Sequence, residues 1–173
     1  MDVSAGTARP IVRYGTAVLH RPCDPVESFD ADLEALVEDM FASMYAANGV
    51  GLAANQIGHV VNPVIAASVA LAPPVTDAEG CLSVPGQHAQ VSRAAVATVT
   101  GTDMHGHPVT VTGAHMLARC LQHETDHVRG IVYVDLLPTG ERAAILAAAG
   151  LPTRHRRGPD GRSRARTSRP GGG

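Results

Sequence analysis

The residues best placed to do chemistry are His123-Glu124-Thr125-Asp126-His127. On a helix, side chains four apart lie one turn above each other, so His123 and His127 can aim two imidazoles at one cation. Glu124, about 100° further round, would stand beside a water held by that cation and act as its general base. The chemistry implied is metal-assisted hydrolysis. The competing reading is a helix with two ordinary, partly buried histidines. Context favours the metal, because Met116, Leu117, Cys120 and Leu121 recur at spacings of three and four and place the motif on an amphipathic helix. Gly130 supplies a stop.

Two histidines leave a catalytic ion short, since such sites take three protein ligands and keep a fourth position for water. Metzincin-type peptidases add a histidine three residues after the glycine, where this chain has Tyr133. Thermolysin-like enzymes add a glutamate from a later helix, and the only glutamate downstream of the motif is Glu141. Neither pattern fits. Cys81, in Glu79-Gly80-Cys81-Leu82-Ser83-Val84-Pro85-Gly86, lies among small, turn-forming neighbours and could approach the helix from a loop or a strand. An odd set of three cysteines, Cys23, Cys81 and Cys120, argues against a disulfide framework and leaves thiolate for a metal.

The elements that must position these groups follow from periodicity. Asp30 is a good N-cap, and Leu33, Leu36, Val37, Met40, Phe41 and Met44 then keep a helical period until Asn48-Gly49, a stripe expected to pack in the core. Gly49-Val50-Gly51-Leu52-Ala53-Ala54-Asn55-Gln56 reads as a glycine turn, or as an edge on which an extended peptide could pair. Residues 60–71 hold two short β-rich runs broken at Asn62-Pro63, and residues 72–78 read as a loop. Residues 94–100 and 108–112 read as a hairpin around a polar turn, with His105 and His107 solvated in it. Residues 131–137 read as a strand, and 139–149 as an alanine-rich helix closed by Gly150.

At 173 residues the chain is long enough for one domain with a sizeable core. Its charge is unevenly spread. Residues 1–150 carry a net −8, whereas 151–173 hold seven arginines and one acid, a net +6. We expect a catalytic domain over 1–150 and a basic, disordered tail over 151–173. The first residues have neither a basic start nor an apolar run of signal-peptide length, and no stretch approaches the length of a membrane span, so a cytoplasmic location is expected.

The stretches Gly49 to Gln56, Glu79 to Gly86 and Leu121 to His127 together resemble the three motifs of the peptide deformylases, in the family order, and the resemblance runs from about Ile11 to about Leu137. It implies an α+β fold, with small antiparallel or mixed sheets packed around the motif helix, and removal of the N-formyl group from the formylmethionine of new polypeptides. It implies Cys81, His123 and His127 as ligands of one divalent ion, ferrous iron first, with zinc, nickel or cobalt able to replace it. Glu124 would be the general base, while the Gln56 amide and the Leu82 backbone N–H would face the oxyanion. Val50, Gly51 and Gly80 would meet the substrate backbone, with Val50, Met116 and Cys120 lining the methionine pocket. Partners would be nascent formylmethionyl peptides and, through the basic tail, ribosomal RNA, with no membrane and no DNA. The alternatives are a deformylase-like protein with impaired activity and another kind of His-Glu-x-x-His peptidase.

One departure stands out. Relatives of this type carry a strand and a turn between Gln-Ile-Gly and the strand bearing Asn-Pro, but here Gly58-His59 runs directly into Val60-Val61-Asn62-Pro63. About one hairpin arm, roughly 15 residues, is absent, a large loss where strands run ~5–6 residues. We expect residues 60–65 to slide into the vacated place, and a fold that keeps its site but loses stability.

Overall fold

A computed structural model describes residues 6–59, 61–62, 67–70 and 73–153. A 3-10 turn, Ala17–His20, precedes a two-residue strand, β1 (Asp24–Pro25), and helix α1 (Ala31–Ala46). Asp30 caps α1, its carboxylate accepting from the Asp32 and Leu33 N–H groups at 3.2 Å. A second 3-10 turn, Ala54–Ile57, leads to β2 (Val61–Asn62) and β3 (Ala67–Ala70). Strands β4 (Pro74–Cys81), β5 (Val84–Ala94), β6 (Val96–Thr102) and β7 (Pro108–Ala114) come next. Helix α2 (His115–Val128), a 3-10 turn (Tyr133–Leu136) and α3 (Thr139–Ala148) are the last elements among the described residues.

Among the described residues the strands form three small sheets: β1 parallel to β2, β3-β6-β7 antiparallel, and the β4-β5 hairpin. Helix α2 packs against β5, β6 and β7 and ends at Gly130, whose φ of 78° is open to glycine at little cost. The α+β expectation, the α1 and α3 helices and the β6-β7 hairpin are all present. The core gathers Tyr14, Leu19, Val132, Tyr133, Val134 and Leu146 around Val84, Ala89 and Val91 of β5.

Three local expectations are corrected. Residues 74–78, expected in a loop, belong to β4, which pairs with β5 from Pro74↔Ala94 onward. Proline is tolerated there because it is the first residue of the strand, and the loop-like polarity of Thr76 and Asp77 reflects exposure on both faces. Residues 131–137 do not form a strand. Val132, Tyr133 and Val134 are all buried, and a 3-10 turn held by the Asp135 carboxylate, which accepts from Val132 N–H at 3.0 Å, satisfies the backbone without a strand partner.

The third correction concerns α1. Its two buried residues are polar, Asp39 and Ser43: Asp39 accepts from Thr7 N–H and Arg9 Nε at 2.7 Å, and the Ser43 hydroxyl accepts from Arg9 N–H at 2.8 Å. The apolar stripe, Leu33, Leu36, Val37, Met40, Phe41 and Met44, is only partly covered and lines a cavity of about 400 Å³, closed on other sides by Phe29, Leu52, Ala54 and residues 102–105. The cavity is open to the surface, so one apolar face of α1 stays uncovered by the described residues. Val61–Asn62 pair with β1, and Ala67–Ala70 pair with β6 as an edge strand of its sheet. The other residues expected to fill the vacated place, 60 and 63–65, lie outside the described residues.

Candidate metal centre

Helix α2 carries the motif with the expected phase: Arg119, His123 and His127 form one inward stripe, each at most 9% exposed. Opposite them, β4 and β5 meet in a tight turn, Cys81 pairing with Val84, after an irregularity between Gly80 and Cys81. That bend brings the Cys81 thiol to α2. Cys81 Sγ lies 3.1 Å from His127 Nε2, and the ligating atoms of Cys81, His123 and His127 all fall within 4.8 Å of one another. One soft sulfur and two imidazoles from separate elements make a donor set suited to zinc or ferrous iron.

His123 and Cys81 are oriented from behind, whereas His127 Nδ1 is buried without a partner among the described residues. Glu79, just before the cysteine, places Oε1 2.8 Å from His123 Nδ1, which turns Nε2 toward the centre. The Cys81 sulfur accepts from Ser83 N–H and from the Gln56 amide, both at 3.4 Å. Asn55 donates to the His127 carbonyl at 2.6 Å, fastening the 3-10 turn that carries Gln56 to the end of α2. Burial drives the His127 ring down to about 3, so it is neutral, as a ligand must be. For His123, burial also lowers the pKa, but hydrogen bonds to Cys81 and Glu79 outweigh it and hold the ring at about 10. A cation entering there must therefore release a proton.

Glu124 faces the same space. Its Oε2 is buried without a partner among the described residues. Burial raises its carboxyl to about 7, with His123 pulling the other way and Glu79 adding to the rise. Gly51 makes room for it: a Cβ there would stand 2.4 Å from Glu124 Oε1 and 2.7 Å from Cys120 Sγ. A groove of about 510 Å³ runs over the site, bordered by Gly49, Val50, Gly51, Gly80, Leu82, Met116 and Cys120. Every residue singled out from sequence thus borders the groove or, in His127, the donor cluster beneath it. Val50 is 75% and Met116 64% exposed, an apolar rim with room to receive a side chain. Burial raises the Cys120 thiol to about 11, so it stays neutral there.

The polar support of the site was not visible in sequence. Glu79 is 4% exposed, and its carboxylate also accepts from Arg93 Nη2 (2.7 Å), Arg93 Nε (3.1 Å) and Arg119 Nη1 (2.8 Å). Arg93 Nη1 reaches Asp126 Oδ2 at 2.6 Å. The one available hint was Arg119 four residues before His123, on the same helical face. His105 and His107 stay in the β6-β7 turn, both exposed, as expected.

Comparison with known proteins agrees with this arrangement. The polypeptide deformylase family matches residues 8–60 and 59–143. Peptide deformylase 2 of Streptomyces coelicolor is 46% identical over 157 aligned positions, covering 79% of this chain and 86% of the relative. A crystal structure of a peptide deformylase from Legionella pneumophila superposes with a TM-score of 0.77 at 38% identity, covering 83% of this chain and 94% of that one. A peptide deformylase from Synechococcus elongatus in complex with actinonin gives 0.76 at 30% identity, covering 85% and 92%. The family match is interrupted at residues 59–60, and 79% of 173 residues is about 137, some 20 fewer than the positions aligned with the Streptomyces coelicolor relative. Interrupted there but matched on both sides, the chain belongs to the peptide deformylase family.

Proposed function

We propose that this chain removes the N-formyl group from the formylmethionine of newly made polypeptides, with Cys81, His123 and His127 holding one divalent ion and Glu124 as the general base. The observation that carries the reading is the convergence of a strand-end thiol and two helix imidazoles on one point beside a buried, unpartnered carboxylate. Bound there, the ion would supply Lewis acidity and a water acidic enough to attack at neutral pH. Glu124, poised near 7, takes the attacking water's proton and passes it to the leaving amine. Gln56 Nε2, held only by long contacts of 3.3–3.4 Å to Ser83 and Cys81, and the Leu82 N–H serve as oxyanion donors. Val50, Met116 and Cys120 receive the methionine side chain, and the backbone at Gly51 and Gly80 meets the peptide.

Ferrous iron is our first assignment for the ion, with zinc, nickel or cobalt as substitutes on this thiolate-containing set. No helix among the described residues is long and apolar enough to cross a membrane, and we place the enzyme in the cytoplasm, where formylated chains emerge. Residues 1–150 form its catalytic unit. We also assign the arginine-rich segment 151–173 to ribosomal RNA, on charge alone. A second reading, reduced activity, is favoured by the cavity along α1 together with the family match broken beside it.

Cys81→Ala should lose metal on elemental analysis, whereas Glu124→Gln should keep it and lose ~10²–10⁴ in turnover, because Glu124 is a base and not a ligand. Equal metal in wild type and Cys81→Ala would contradict the assignment. A base works only when ionised, so activity is present above pH about 7 and falls roughly tenfold per unit below it. An acid limb that persists unchanged in the residual activity of Glu124→Gln would rule Glu124 out of this role. A family-length insert after Gly58 should raise both Tm and turnover by covering the α1 stripe, and no change in either would show that the short connection is tolerated. Ribosome co-sedimentation should fall steeply with salt and vanish on removing residues 151–173; binding retained by the truncated chain would end the tail assignment.

A further inference from the structure

Arg119 takes no part in the reaction outlined above, yet it lies under the groove on the stripe it shares with His123 and His127. Its Nη1 donates to Glu79 Oε2 at 2.8 Å and to the Val91 carbonyl at 2.9 Å, and its Nη2 donates to the Val75 carbonyl at 3.1 Å. Val75 belongs to β4 and Val91 to β5, so one guanidinium spans both strands of the hairpin that ends in Cys81. The other oxygen of Glu79 takes His123 Nδ1. We infer that Arg119 is a positioning residue for the metal centre, fixing the distance and rotation between the two His ligands on α2 and the Cys81 hairpin by holding Glu79 from the same helix that carries His123.

The geometry gives Arg119 a role that Arg93 does not duplicate. Arg93 belongs to the hairpin itself and reaches α2 only at Asp126, one residue before His127. Arg119 reaches from α2 back to the hairpin one turn before His123. The two arginines cross between the same elements at opposite ends of the ligand stripe, and Glu79 is their common acceptor. Without Arg119, Glu79 keeps its Arg93 fork and Gln122 keeps its two hydrogen bonds with Ala94 of β5, but α2 loses its hold on Glu79 Oε2 and on the Val75 and Val91 carbonyls. A guanidinium suits this position because its two terminal nitrogens reach three separate acceptors at once, which the compact ammonium of lysine cannot do with the same fixed geometry.

The inference rests on the proposed Cys81, His123 and His127 site, and cobalt tests both separately. Full-length wild type loaded with Co²⁺ should show a thiolate-to-cobalt absorption band that Cys81→Ala lacks; a wild type without that band contradicts the metal site itself. Given the band, Arg119→Met should shift the visible cobalt spectrum and speed metal loss to a chelator by ~10- to 100-fold. Arg119→Lys should restore only part of each, and it decides alone if Arg119→Met does not fold. Asp39→Ala, which removes the Thr7 and Arg9 contacts on α1 and touches neither α2 nor the β4-β5 hairpin, controls for lost stability and should leave the spectrum unchanged. Wild-type spectra and chelator rates in the folded Arg119 variants, or a spectral shift in Asp39→Ala matching theirs, would overturn the inference.

Discussion

The site depends on one buried negative charge. A carboxylate as sequestered as Glu79 is costly unless its oxygens are saturated, and here they accept from two arginines and face a histidine ring. Burial alone would raise its pKa, but the hydrogen bonds of His123 and Arg93 hold it at about 2. The sign follows from that depression: the network stabilises the fold above the ordinary carboxylate range and loses that contribution as pH falls toward 2. Removing one partner of such a cluster typically costs 3–5 kcal/mol, since it strands the remaining charge. The same charge orients His123, so the constraint that stabilises the hairpin on α2 also sets the ligand geometry.

Stability and site are unevenly distributed over the rest of the molecule. The residues that hold the metal donors sit between β4-β5 and α2, backed by the core cluster around Tyr133 and Leu146. The N-terminal segment reinforces them, with Val12 N–H on the Gln56 carbonyl and Tyr14 N–H on the Ser83 carbonyl. Helix α1, by contrast, is fastened mainly through Asp39, Ser43 and the 3-10 turn Ala54–Ile57, while its apolar side opens on a cavity. Leu52 and Ala54 line that cavity and adjoin the loop that carries Gln56 and Gly51. Loosening along α1 therefore reaches the chemistry through this loop and not through the ligands.

What could be read from the sequence follows from how local each constraint is. His123, Glu124 and His127 were legible because helical spacing alone makes them neighbours. Cys81 was legible as a candidate from its neighbourhood, but only the family resemblance joined it to a helix 42 residues away. The arginine and glutamate pairing was not, because Glu79 meets Arg93 and Arg119 across separations of 14 and 40 residues. Strand β4 was missed because most of it is exposed on both faces and carries no alternation, and residues 131–137 looked like a strand because a short apolar run buried on every side has no period to distinguish it. The α1 stripe was correctly periodic, yet its cover could not be judged from the helix itself.

We propose that a chain lacking some 20 family positions still assembles a working hydrolytic centre. Formate release from formyl-Met-Ala-Ser by the full-length protein, loaded anaerobically with ferrous iron, tests it most directly. Turnover should require the metal and disappear in Glu124→Gln. Release no faster than in that variant, from protein shown to contain one ion per chain, would contradict it.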